Sequence, residues 1–150
     1  MSKKTAFIKL FTIELALTAA LFGPAQAQPI NPHQSVNAQL LVAARQSDVQ
    51  GIQKSLERGA APNSRNRQGK TALFMAIENN QIEIVRLMLA ADADVNLASL
   101  EKVTPLIAAA YAGNAQIVGL LLNKGAHLED TDRLHKSALV YAAGMGHSQV

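Results

Sequence analysis

Thr71-Ala72-Leu73-Phe74-Met75-Ala76, Thr104-Pro105-Leu106-Ile107-Ala108-Ala109 and Ser137-Ala138-Leu139-Val140-Tyr141-Ala142 are one pattern written three times. The step from Thr71 to Thr104 equals the step from Thr104 to Ser137. A less regular copy, Ala38-Gln39-Leu40-Leu41-Val42-Ala43, lies one step further back in the same register. A second pattern keeps the period: Gly59-Ala60-Ala61-Pro62-Asn63 recurs as Asp92-Ala93-Asp94-Val95-Asn96 and then as Gly125-Ala126-His127-Leu128-Glu129. Independent matches at a single period mark a chain of stacked supersecondary units, each stabilised by its neighbours.

Each unit reads as two short helices. Pro105 to Ala112 forms the first, with Pro105 in the opening turn, where a missing N–H costs nothing. Gly113-Asn114 turns the chain, and Ala115 to Asn123 forms the second helix. Its apolar stripe is Ile117, Val118, Leu120, Leu121 and Leu122; Ile82, Ile84, Val85, Leu87, Met88 and Leu89 do the same in the preceding unit. Lys124 suits the negative end of the helix dipole, and Gly125 supplies a left-handed cap. Asp92 stands at the equivalent position one unit earlier and tolerates that conformation better than most residues. Few aromatics (4%), no Trp and a hydrophobic content of 49% with much Ala and Leu suit closely packed helices better than a barrel or sandwich.

The pattern resembles the ankyrin repeat over residues from about 36 to 150. The matching residues are Thr104, Pro105, Leu106, Ala109, Ala110, Gly113, Ile117, Val118, Leu120, Leu121, Leu122, Gly125 and Ala126, with Gly146-His147 at a later turn. The resemblance implies an all-α solenoid of stacked helix-turn-helix units with hairpin loops, about three and a half repeats in all. It places the units at about 37–66, 67–99, 100–132 and an incomplete 133–150. Two departures stand out. The family's His in the opening tetrapeptide is Phe74, Ile107 and Val140 here, so packing is expected in place of its hydrogen bond. The hairpin-turn Gly is kept at Gly69 but becomes Lys102 and His135, so those two fingers are expected to be less regular. The pattern would run on past Val150 into a second helix, and without it Leu139, Ala142 and the Ile117 to Leu122 face are expected to be poorly covered. The C-terminal unit is therefore expected to be the least stable.

Residues 1–27 read as a secretory signal peptide: Lys3, Lys4 and Lys9, an apolar run from Leu10 to Gly23 interrupted by Glu14, and the small-residue site Pro24-Ala25-Gln26-Ala27. Cleavage is expected after Ala27. A membrane anchor or a retained amphipathic helix are the alternatives, but the run is shorter than the roughly 20 residues that span a bilayer. Residues 28–36, with Pro29 and Pro32, read as a leader into the repeat domain at 37–150. The formal charge of +3 then falls to +1 in the mature chain, so the pI of about 9.4 is no nucleic-acid footprint. The mature chain is expected to be periplasmic or secreted, monomeric and free of membrane. With no cysteine there are no disulfides and no thiolate chemistry.

No catalytic constellation is legible. His33, His127, His135 and His147 lack the spacing of a metal site, and neither a nucleophile elbow nor a phosphate loop occurs. Glu129, Asp130 and Asp132 with Arg133 and Lys136 read as a solvated, self-neutralised finger rather than a calcium loop. Enzyme activity, metal and cofactor are therefore not expected.

What the resemblance implies instead is partner binding on a concave face of fingers and first helices. By register that face carries Arg45, the finger residues Arg67, Gln68 and Lys70, then Glu78 and Asn79. It continues with Leu100, Glu101 and Val103, reaches Tyr111, and ends with Arg133, Leu134 and Lys136. An apolar centre with a charged flank fits a protein better than a nucleic acid, and Tyr111 is the expected anchor. The partner is expected to be an envelope enzyme or a toxin; a secreted effector acting on host proteins is the alternative.

Overall fold

The structure, a computed structural model, describes residues 32–150. The signal peptide expected at 1–27 and the first residues of the leader lie outside the described residues. Helix α1 spans Pro32–Gln46 and α2 Val49–Glu57; α3 (Ala72–Glu78) pairs with α4 (Ile82–Ala90), and α5 (Pro105–Ala112) with α6 (Ala115–Asn123). Helix α7 (Ala138–Gly144) opens the last unit. The leader is shorter than the sequence suggests. Pro32 begins α1 rather than interrupting a linker, since its fixed φ and missing N–H suit a first turn.

Capping side chains set four of the other starts. The Thr71 hydroxyl accepts from the Phe74 N–H and that of Thr104 from the Ile107 N–H, each at 3.2 Å, while Asp48 and Asn114 cap α2 and α6. Helices α3, α5 and α7 pack side by side in an inner row, and α2, α4 and α6 form the outer row. Between the rows lies a continuous core that includes Leu40, Ile52, Leu73, Ile77, Ile84, Met88, Ile117 and Leu121, all without solvent exposure. Two asparagines fasten successive exit turns, Asn63 accepting from the Asp94 N–H at 2.8 Å and Asn96 from the His127 N–H at 2.9 Å.

Three fingers, Arg65–Thr71, 98–104 and Thr131–Ser137, lead into the inner helices. Their closing bonds are alike: Asn66 N–H to Lys70 O at 2.9 Å, Ser99 N–H to Val103 O at 2.9 Å, and Asp132 N–H to Lys136 O at 3.1 Å. The expected irregularity is absent from the third finger, which carries an antiparallel bridge between Thr131 and Ser137 like that of Arg65 with Thr71, but shows in the second, where the ends of 98–104 form no such bridge. Lys102 and His135 adopt the left-handed conformation of Gly69, with φ of 60° and 58° against 74°. The surrounding bonds over-determine the turn, so an L-residue is held where glycine would sit freely.

Packing replaces the family's His where Phe74 and Ile107 are buried, but Val140 is half-exposed. The end of the stack is covered better than expected: Ile117, Val118, Leu121 and Ala142 are buried, because α5, α6 and α7 close on them. Leu122 and Leu139 do stand in solvent.

Candidate functional site

The inner helices and fingers bound two adjoining depressions. The first, of 430 Å³, is lined by Arg45 from α1, Arg67, Gln68 and Lys70 from the first finger, and Glu78 and Asn79 from the end of α3, with Asn66 and Met75 behind them. The second, of 440 Å³, is lined by Val103, Ile107, Ala108, Tyr111, Ala112 and Tyr141, with Glu78 at its edge. Glu78 belongs to both. Lys70 Nζ holds it from 2.6 and 2.9 Å and lies 5.3 Å from the centre of the Phe74 ring, so the wall between the depressions is an ion pair resting on an aromatic.

The apolar cleft is framed by two tyrosines. Tyr111 and Tyr141 meet edge to face, with ring centres 5.8 Å apart at 80°. The Tyr141 hydroxyl donates to Asp132 Oδ2 at 2.6 Å, and Asp132 Oδ1 accepts from the N–H groups of Leu134 and Lys136 at 2.8 and 3.0 Å. The tyrosine hydroxyl, with the Lys136 N–H after it, lowers the Asp132 pKa from the ordinary carboxylate value; the same bond to Asp132 raises that of Tyr141. Lys136 Nζ stands 5.5 Å from the centre of the Tyr141 ring. Asp132 is therefore not the solvated finger-tip charge expected from its neighbours. It is buried, because α7 carries the Tyr141 hydroxyl back over the finger that precedes it.

Six of the thirteen expected residues thus share the first depression, and Glu78, Val103 and Tyr111 share the second. Leu100, Glu101, Arg133 and Leu134 line neither; they form the finger tips, outside both depressions. Leu100 N–H donates to Gln68 O at 3.0 Å, Arg133 N–H donates to Glu101 O at 3.4 Å, and the Arg133 and Glu101 side chains pair at 3.5 Å. These bonds tie each finger to the next. Lys136 reaches the face only through the Tyr141 ring beside it.

Tyr141 is the residue that reading by register missed. Its place in the unit is held by Met75 and Ala108 in the two preceding copies, neither of which signals a polar role. The usable signal was the pairing of positions nine residues apart: Asn66 with Met75, where the amide stands 3.8 Å from sulfur, and Asp132 with Tyr141. Among the described residues no group of three or more His, Asp or Glu side chains is placed to hold a metal ion. His127 faces Asp130 at 3.4 Å, and the His147 ring lies 3.2 Å from the Tyr111 carbonyl.

Helix pairs stacked in register, with fingers bonded one to the next beside a grooved inner face, define a repeat solenoid built to present a surface. The family described as ankyrin repeats (3 copies) matches residues 40–132 and again 91–150, and the chain belongs to it. Such repeats are protein–protein interaction modules, typically non-enzymatic. The chain is 30% identical over 112 residues to the mouse inactive serine/threonine-protein kinase TEX14, covering 75% of this chain and 8% of that one. It is 33% identical over 96 residues to human ankyrin repeat domain-containing protein 63, covering 61% and 25%. With the bovine mitochondrial disaggregase it shares 44% over 63 residues, covering 42% and 9%. The chain therefore spans a quarter or less of the length of each of these relatives.

Proposed function

We propose that this chain is an exported, non-enzymatic binding module that captures a protein partner of the cell envelope, an enzyme it supports or a toxin it neutralises, through the face centred on Tyr111. The observation that carries this reading is the apolar cleft between Val103, Ile107, Tyr111 and Tyr141, open to solvent and adjoining a polar depression. A large aromatic more than half exposed beside such a cleft is the kind of residue that dominates binding energy at protein interfaces. Export rests on the lysines, the apolar run and the Ala25-Gln26-Ala27 site within positions 1–27.

The test is capture from envelope extract with the full chain as bait, alongside Tyr111→Ala and Arg67→Ala. Both variants should weaken capture of one stoichiometric partner, Arg67→Ala with the melting temperature unchanged and Tyr111→Ala with no more than the small fall that loss of its edge contact with Tyr141 brings, since neither side chain lies in the core. Loss of binding only in step with loss of stability would remove this face from consideration. Mass spectrometry of the chain recovered from its native cell should give a first residue of Gln28; an intact N-terminus in the cytoplasm overturns the export reading.

A further inference from the structure

The charges around the two depressions are lopsided, and this bears on what the face selects. Three carboxylates lie on the described inner helices and the three fingers: Glu78, Glu101 and Asp132. All three are engaged, Glu78 by Lys70 at 2.6 Å, Glu101 by Arg133 at 3.5 Å, and Asp132 by the Tyr141 hydroxyl and two N–H groups. Arg45 and Arg67, which line the polar depression, have no carboxylate within ion-pair distance among the described residues. The face thus offers an apolar slot at one end and two uncompensated guanidinium groups at the other, with the Lys70–Glu78 pair as the ridge between them.

We propose that this face takes an extended acidic peptide segment: an apolar side chain sits in the cleft beside Tyr111, and an Asp or Glu of the same segment reaches Arg45 and Arg67. The inference rests on the reading of this face as the binding surface and adds the chemistry of the partner. Guanidinium groups bind carboxylates through paired, charge-assisted hydrogen bonds, which favours Arg over Lys for this task. The spacing follows from the architecture. The polar depression lies between α1 and α3 and the apolar one along α5, about one and a half interhelix distances, roughly 12–15 Å, further on. Extended chain rises about 3.3 Å per residue, so anchor and carboxylate should stand about four residues apart. A nucleic acid fits less well: the slot beside Tyr111 is apolar, and among the described residues its lining holds no cation for a phosphate backbone.

The test uses the full chain and fluorescein-labelled peptides of Gly and Ser carrying one Phe and one Glu at systematically varied separations, read by anisotropy. Binding should peak at a separation of about four residues, and replacing the peptide Glu with Lys should weaken it about tenfold. Arg67→Glu, which sets a carboxylate beside Arg45, should cancel that preference, while Arg67→Gln weakens it without cancelling it. Unchanged circular dichroism melts keep both variants interpretable, since Arg67 is exposed. Equal binding of Glu and Lys peptides, no binding of either, displacement by heparin with no dependence on Tyr111, or self-association of the chain through this face each overturns the proposal. Should a protein partner be captured through Tyr111 yet ignore Arg67→Glu, the binding face stands and the acidic segment falls; indifference to both substitutions removes both.

Discussion

Gly69→Ala places a methyl group where the fold has no room for one. Gly69 is buried at the first finger with φ of 74°, and an added Cβ would lie 2.9 Å from the Leu100 backbone nitrogen and 3.2 Å from Leu100 Cγ. That nitrogen cannot step aside freely, because its N–H donates to Gln68 O at 3.0 Å and ties the first finger to the second. The left-handed conformation costs an alanine about 1 kcal/mol after allowance for its stiffer unfolded chain. A broken finger-to-finger bond adds about 1 kcal/mol. The sum, about 2 kcal/mol, lowers the melting temperature by roughly 8 °C for a domain of this size. Lys102→Gly is the control of opposite sign. It relieves about 1–2 kcal/mol of left-handed strain at φ of 60° against about 0.5–1 kcal/mol of added chain entropy, and should raise stability slightly. Thermal melts by circular dichroism, with hydrogen exchange at the Leu100 amide, read both effects. An unchanged melting temperature and intact Leu100 protection in Gly69→Ala would refute the argument, as would a clear fall in Lys102→Gly.

Other outcomes follow from the same geometry. The Asp132 pKa is lowered in the folded chain, first by the Tyr141 hydroxyl, so the stabilisation from its charged form is present above the ordinary carboxylate value of 3.8 and is lost as pH falls through its lowered folded value. Melting temperatures of wild type and Tyr141→Phe should therefore differ at neutral pH and converge in acid; a gap independent of pH contradicts this. Thr104→Ala should cost about 1 kcal/mol by removing the cap on the Ile107 N–H, whereas Ser137→Ala should be nearly silent because Ser137 makes no capping bond; equal losses in chemical denaturation would contradict the difference. Amides of α7 should exchange faster than those of α3, since α7 buries only Ala138 and Ala142 where α3 buries every residue but Glu78. Equal protection of the two helices would show that the last unit is as firmly held as the middle of the stack.

The sequence determined most of the architecture because a repeat repeats its information. A Thr or Ser cap, an apolar stripe at helical spacing and a left-handed exit recur at one constant interval, so a weak local signal is read several times over. The limits of α5 and α6, Pro105–Ala112 and Ala115–Asn123, were legible to the residue for that reason, as was the left-handed turn at Gly125. Register alone placed Arg45, Arg67 and Tyr111 on the grooved side. What the sequence left undecided is whatever breaks the repetition. Lys102 and His135 look wrong for their turn until the finger's backbone bonds are seen to hold them there. Pro32 reads as a linker residue until α1 is seen to start on it. Asp132 reads as a surface charge and Tyr141 as one more apolar helix residue until the return of the chain sets the hydroxyl 2.6 Å from the carboxylate. Only tertiary structure joins the depressions through Glu78, fastens that carboxylate to Lys70, and leaves Arg45 and Arg67 uncompensated among the described residues. Periodicity encodes which way a side chain faces; which charges cancel depends on distances between units, and those are set by packing.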